Sequence, residues 1–325
     1  MMRNALREMM NRLLAIILAA CCALAACAQA AEQWAQVNTS IAHLRSEASS
    51  KQEMVSQEFL GMPVKILQKG KSWSQIQTTD GYKGWMLNES LEMKTPAQMA
   101  QWRKSPRLVV TALQEIKAYD SPEATGPRSV VTDLLPCDIV EGSLLAPQSG
   151  RVEITLPDGR KAWADASSFT SIEEWANQPF NAQNIIDRAY AIIGTPYIWC
   201  GNSAKMTDCS GLTKQCYLSN GIFLLRDASM QVNTGKRLNP ADWRNFETAD
   251  LIFFSNSSGR VSHVALYDKD GYYIHSSGIR ERVGRNSLDP KSPDFGSSGF
   301  SHAVRIHGME GTKGIVKAAN HPWLF

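Results

Sequence analysis

Two ten-residue segments repeat one another at a fixed distance. Ile76-Gln-Thr-Thr-Asp-Gly-Tyr-Lys-Gly-Trp85 and Ile154-Thr-Leu-Pro-Asp-Gly-Arg-Lys-Ala-Trp163 share Ile, Asp-Gly, Lys and Trp in one register, 78 positions apart. Each places an apolar strand before an Asp-Gly pair, the local signal for a tight hairpin, and a tryptophan-bearing strand after it. An earlier strand precedes each copy, Val64-Lys-Ile-Leu67 in the first and Asp138-Ile-Val140 in the second. Five identities in register, each following a strand at a similar distance, argue against two hairpins that match by accident. The chain therefore opens with two small all-β barrels, expected over 35–95 and 106–170, with a polar linker from Lys94 to Pro106 between them.

After Pro179 the pattern changes from strands to helix followed by sheet. Asn181 is placed to cap a helix whose apolar positions Ile185, Ile186, Ala189, Tyr190, Ile192 and Ile193 recur at helical spacing, with Gly194 ending it. A second helix is expected from Asp208 or Cys209 to Asn220-Gly221. Beyond it, Asp250–Phe254, His263–Tyr267, Tyr272–His275 and Ala303–Ile306 read as strands. Helices first and antiparallel strands afterwards give an α+β domain, expected over 180–310.

Arg3, Arg7 and Arg12 precede an uncharged run from Leu13 to Ala26. That run is shorter than the roughly 20 residues a membrane span needs, so residues 1–30 read as an export signal. Ala28-Gln29-Ala30 offers a cleavage site, whereas Leu24-Ala25-Ala26-Cys27 and Leu18-Ala19-Ala20-Cys21 have the form of a lipid-attachment box. A soluble periplasmic protein and a lipid-anchored one are both open. The remaining cysteines, Cys137, Cys200, Cys209 and Cys216, are too few and too scattered for a disulfide framework. A net charge of +3 with no basic block excludes a nucleic-acid arm.

Asp208-Cys209-Ser210-Gly211 lies where a loop becomes a helix, so the thiol is expected to meet helix-start N–H groups and the positive end of the dipole, lowering its pKa. Cys216, seven residues on, is expected in the core. A thiol nucleophile needs a base within reach and a group to orient that base. His263 and His275 lie on two strands joined through Asp270-Gly271, which brings them near each other across a hairpin. Cys-x8-Cys and His-x11-His lack the short spacings of zinc modules, so neither a metal nor a cofactor is expected.

Pro196-Tyr-Ile-Trp199, Asp208-Cys-Ser-Gly211, Arg226-Asp227-Ala-Ser-Met-Gln231, Asp250-Leu-Ile-Phe-Phe254, Ser262-His-Val-Ala-Leu-Tyr267 and Ile274-His275-Ser276 resemble the successive motifs of the NlpC-type cell-wall cysteine peptidases. The resemblance covers about 180–306 and implies a papain-like catalytic domain. With two bacterial SH3-like barrels in front, the arrangement is similar to γ-D-glutamyl-L-diamino acid endopeptidases, which take peptidoglycan stem peptides as substrates and need no cofactor. A monomer is expected.

By position, the resemblance implies Cys209 as nucleophile, His263 as base, His275 as the residue that orients it, and Tyr197 beside the oxyanion site. It further implies that Asp227, with a tyrosine and an acidic residue of the first barrel, binds the free amine of a terminal L-alanine. Tyr82 is the candidate tyrosine, since the second copy has Arg160 there; Glu47 and Glu53 are both candidates for the acid. Trp199, Ser210 and Ser262 are expected along the substrate cleft. Cys200-Gly201 departs from the family's usual Gly-Gly and places a side chain where backbone is expected to run close. The alternative reading is a non-catalytic wall-binding protein whose barrels do the binding.

Overall fold

A computed structural model describes residues 32–296 and 298–325. The expected export signal, the two candidate lipid-attachment boxes and the cysteines within them lie outside the described residues.

The first barrel contains β1 (Gln33–Val37), β2 (Ile41–Arg45), β3 (Met54–Phe59), β4 (Pro63–Lys69), β5 (Trp73–Gln77), β6 (Lys83–Leu87) and β7 (Leu91–Lys94). The second contains β8 (Arg107–Val110), β9 (Ile116–Tyr119), β10 (Val130–Leu134), β11 (Ile139–Gly142), β12 (Arg151–Thr155), β13 (Lys161–Asp165) and β14 (Phe169–Ser171). Their strand orders are β3-β2-β6-β5-β4-β1-β7 and β10-β9-β13-β12-β11-β8-β14. Adding seven to each label of the first order gives the second, so the sequence repeat is a repeat of whole topology. The Asp-Gly hairpins join β5 to β6 and β12 to β13. Burial alternates along both β6 and β13, as expected of strands with one face on a core.

Two capped helices follow the barrels, α1 (Pro96–Trp102) behind Thr95 and α2 (Ile172–Asn177) behind Ser171; each cap forms a reciprocal box, with Gln98 and Glu174 respectively. The last domain has α3 (Ala182–Ala191), capped by Asn181, and the fully embedded α4 (Cys209–Ser219), capped by Asp208. Next come β15 (Ile222–Leu224), α5 (Ala228–Gln231), β16 (Lys236–Leu238), β17 (Leu251–Ser255), β18 (Val261–Tyr267), β19 (Tyr272–Ser277), β20 (Arg282–Ser287), β21 (Phe300–Arg305) and β22 (Ile315–Lys317). An antiparallel sheet of order β16-β21-β17-β18-β19-β20 carries α4 against its centre, and β15 pairs separately with β22. Cys216 is fully buried between them, as core.

The three domains share one apolar core. Trp34, Phe59 and Met62 from the first barrel meet Val109 and Ile139 from the second, Trp175 from α2, and Leu218 and Phe223 from the last domain. Burial of this kind contributes about 25 cal/mol per Å² of apolar surface removed from water, which resists separation of the domains. Directional contacts set their register. Asp138 accepts from the Leu60 N–H at 3.1 Å and the Leu135 N–H at 2.7 Å, and Ile139 N–H donates to the Leu60 carbonyl at 3.0 Å. The barrels approach so closely here that a Cβ on Gly61, which has φ +76, would stand 1.7 Å from the Ile139 oxygen.

Gly159 in the second hairpin has φ +85, and a methyl group added there would meet nothing within 4 Å, so it isolates the backbone cost alone. Gly159→Ala is expected to destabilise by about 1 kcal/mol. Gly61→Ala adds displacement of a neighbouring strand and is expected to cost about 2–4 kcal/mol in denaturant unfolding. Equal effects would show that the barrel contact contributes nothing.

Candidate active site

Cys209 is the first residue of α4, and its cap Asp208 accepts the Gly211 N–H at 2.6 Å. The Asp208 carboxylate also takes the Cys200 N–H at 3.0 Å, and Arg226 grips it from the other side, Nη2 to Oδ2 at 2.8 Å and Nη1 to Oδ1 at 3.2 Å. The remaining Arg226 donors go to Ser210 Oγ, the Gly201 carbonyl and, in the first barrel, Ser56 Oγ. Every arm of this buried cation is used, which removes most of the cost of burying it. The helix start at Cys209, the loop before it and the barrel are thereby tied to one guanidinium.

The backbone N–H groups of Val264 and Ser210 reach the Cys209 sulfur. His263, next to Val264 on β18, points Nε2 at His275 Nδ1 on β19, 2.8 Å away. The strand register pairs Leu266 with Ile274 and Tyr267 with Tyr273, so the two histidines are diagonal neighbours rather than directly opposite. His275 Nε2 lies 3.1 Å from Asn286 Oδ1 on β20. Phe254 and Tyr273 pack against the rings of His263 and His275, with centroids 5.5 and 5.2 Å apart.

The expected lowering of the thiol pKa is reversed. Burial, with Asp208 next, pushes Cys209 up to about 12 against the smaller opposing pull of the Val264 and Ser210 donors and Arg226. Burial likewise takes His263 down to about 3 and His275 to about 4. At rest Cys209 is therefore a thiol, and His263, on the strand that packs against its helix, is a neutral imidazole. A proton passed from the sulfur to a nearby imidazole would create two opposite charges, each offsetting the burial cost of the other. Tyr197 stands beside Cys209, and burial followed by that sulfur raises its pKa, so its hydroxyl remains a hydrogen-bond donor at neutral pH.

A cleft of about 520 Å³ runs past the thiol, lined by Glu53, Tyr82, Trp199, Cys200, Cys209, Ser210, Asp227 and Ser262 among others. Of the two acidic candidates, Glu53 reaches this cleft and accepts from Trp199 Nε1 at 2.8 Å. Glu47 does not line it: its carboxylate is bound to Gln52 at 2.9 Å on an exposed turn. Asp227 occupies the cap position of α5 without spending its side chain on a cap bond, and it faces the Tyr82 hydroxyl. Burial raises its pKa, with Arg226 opposing. Cys200 has φ +63, the left-handed backbone that suits glycine, and its side chain is buried along the cleft wall.

Three participants were not singled out in the sequence: Arg226, Asn286 and Lys214. Lys214, on α4, pairs with Asp80 of the Tyr82 hairpin at 2.9 Å, both being buried. Asp80 Oδ1 in turn accepts from the Tyr82 N–H at 3.3 Å. The Arg-Asp motif signalled only its aspartate, and Lys214, between Thr213 and Gln215 in a helix of mixed polarity, gave no local sign of an interdomain pair.

Because folding lowers the pKa of both histidines, the unfolded chain binds more protons between about pH 4 and 6.5. Their contribution to stability is complete above pH 6.5 and is lost as pH falls toward 4. A His263→Gln/His275→Gln variant is expected to show a flatter fall of Tm across that window than wild type. Parallel curves would contradict the burial of neutral rings.

Residues 194–294 match the NlpC/P60 family, and residues 41–92 match the bacterial SH3 domain. A γ-D-glutamyl-L-lysine dipeptidyl-peptidase of Bacillus cereus is 30% identical over 236 residues, spanning 69% of this chain and 67% of that protein. Dipeptidyl-peptidase 6 of Lysinibacillus sphaericus is 25% identical over 263 residues, 78% of this chain and 91% of the relative. The crystal structure of an NlpC/P60 family protein from Bacillus cereus superposes with a TM-score of 0.71 at 23% identity, covering 84% of this chain and 99% of that one. The barrels, the papain-like α+β domain and these matches agree: the chain belongs to the NlpC/P60 family of cell-wall peptidases.

Proposed function

We propose that this protein is a cysteine endopeptidase that cleaves the γ-D-glutamyl-L-diamino acid bond of peptidoglycan stem peptides carrying a free N-terminal L-alanine. The observation that carries this reading is the convergence of Glu53, Tyr82 and Asp227 on the same cleft as the Cys209 thiol. Two carboxylates and a phenol complement an ammonium group. The name of the Bacillus cereus relative, a γ-D-glutamyl-L-lysine dipeptidyl-peptidase, supports the same bond here.

In this reading Cys209 Sγ attacks the γ-carbonyl carbon of D-glutamate while His263 takes the thiol proton. Tyr197 faces the developing oxyanion. His263 then returns the proton to the leaving amine, and water hydrolyses the thioester with His263 again as base. Glu53, held by Trp199, and Tyr82, held through Asp80 and Lys214, wall off the barrel end of the cleft. A stem peptide still joined to muramic acid has an amide in place of the ammonium and bulk where the barrel stands. The enzyme would then trim released peptides, downstream of an amidase, and with residues 1–30 acting as an export signal that work would lie in the periplasm.

A charge-assisted hydrogen bond shielded from water contributes about 1.5–3 kcal/mol, equivalent to roughly 10–150-fold. N-acetylation of L-Ala-γ-D-Glu-L-Lys or its diaminopimelate counterpart is expected to lower kcat/KM by at least that range, and Asp227→Ala to erase most of the preference. Cys209→Ala is expected to abolish turnover with an unchanged Tm. Equal rates on free and acetylated peptides by wild type would overturn the closed pocket, and undiminished turnover by Cys209→Ala would overturn the thiol mechanism.

A further inference from the structure

The geometry points to Asn286 as a positioning residue that selects the tautomers of both histidines and so leaves His263 Nδ1 free to act as the base. This inference rests on the proposed roles of Cys209 and His263. Asn286 Nδ2 donates to the Asp294 carbonyl at 3.0 Å, and a carbonyl accepts only, so the amide orientation is fixed and Oδ1 faces His275. Oδ1 is also an acceptor only. His275 must therefore carry its proton on Nε2, which lies 3.1 Å away.

A neutral imidazole has one donor and one acceptor nitrogen, so His275 Nδ1 is bare. It accepts from His263 Nε2 at 2.8 Å, and His263 must hold its own proton there. That leaves Nδ1 of His263 without a proton. The opposite arrangement, with His275 protonated on Nδ1, would force the His263 proton onto Nδ1 and remove the base. In the reaction the Cys209 proton moves to His263 Nδ1, while the Nε2 proton stays in its bond to His275. No proton travels along the chain; Asn286 acts by fixing where the protons sit beforehand.

The support for Asn286 is itself built in. Tyr273, which packs against His275, donates its hydroxyl to the Gly296 carbonyl, and Gly296 N–H returns to the Ser287 carbonyl at 2.9 Å. A Cβ on Gly296 would stand 2.7 Å from Asn286 Nδ2, so the segment around Asp294 and Gly296 is fitted to this amide. Asn286 is itself almost wholly buried.

The test uses the full chain with ¹⁵N-labelled histidine. Long-range ¹H–¹⁵N spectra of wild type at mildly alkaline pH are expected to show a non-protonated Nδ1 and a protonated Nε2 on both His263 and His275. In Asn286→Leu both rings are expected to become tautomer mixtures, with kcat down about 10–100-fold, by analogy with loss of the partner that orients a metal-bound histidine, and KM little changed. Asn286→Asp keeps the acceptor and is expected to restore the wild-type tautomers and recover kcat to within several-fold. A protonated Nδ1 on His263 in wild type would overturn the proposal, even if the leucine variant does not fold. So would Asn286→Leu with wild-type tautomers and kcat. Loss of turnover in Cys209→Ala together with wild-type tautomers in Asn286→Leu would separate failure of this inference from failure of the thiol mechanism.

Discussion

The buried pair between Asp208 and Arg226 is the contact on which the rest of the site depends. An isolated guanidinium or carboxylate at this depth would be strongly unfavourable, and the pair is tolerable only because every oxygen and every guanidinium N–H finds a partner. Those partners surround the cleft: the start of the Cys209 helix at Gly211, the Cys200–Gly201 loop on the cleft wall, Ser210, and Ser56 of the first barrel. Asp227 follows Arg226 directly in the chain. One ion pair thus sets the distance between the thiol, the cleft wall and the carboxylate proposed to read the substrate's amine.

The first barrel is a component of the site rather than an appendage. Its Asp80 reaches Lys214 on the helix that begins at Cys209, its Glu53 holds Trp199, and its Gln57 accepts the Asn202 N–H at 2.8 Å. The C-terminal segment fastens the same assembly, with His321 Nε2 donating to the Thr79 carbonyl at 2.9 Å and the Leu324 carbonyl accepting from buried Arg107 at 2.7 Å. The second barrel, of identical topology, touches the catalytic domain elsewhere. Its Arg160 occupies the position of Tyr82 but pairs with its neighbour Asp158, which illustrates how one fold serves two tasks through a few residues.

Features set by local pattern were legible in the sequence. The helical spacing after Asn181, the helix start at Asp208-Cys209 and the Asp270-Gly271 hairpin each specify their own geometry, and together they pack the Cys209 helix on the strand where His263 meets His275. The duplicated barrels followed from matched hairpins. Features set by docking were not legible. Nothing near Glu47 or Glu53 in the sequence tells which one a domain interface carries into the cleft. Strand β20, Arg-Val-Gly-Arg-Asn-Ser, lacks the apolar alternation that marks a strand, so Asn286 stayed hidden although it lies on the strand beside His275. The direction of the thiol's pKa failed for a related reason: helix-start donors are visible in a motif, whereas the burial that outweighs them is a property of the assembled molecule.

The most direct measurement is mass analysis of the products formed from a defined peptide, L-Ala-γ-D-Glu-diaminopimelate-D-Ala, with the full-length protein. Release of the dipeptide L-Ala-D-Glu, leaving a fragment that begins with the diamino acid, is the expected result. Cleavage at any other bond, or an intact peptide under conditions where the Cys209 thiol is shown to be reduced and reactive, would contradict the proposed chemistry.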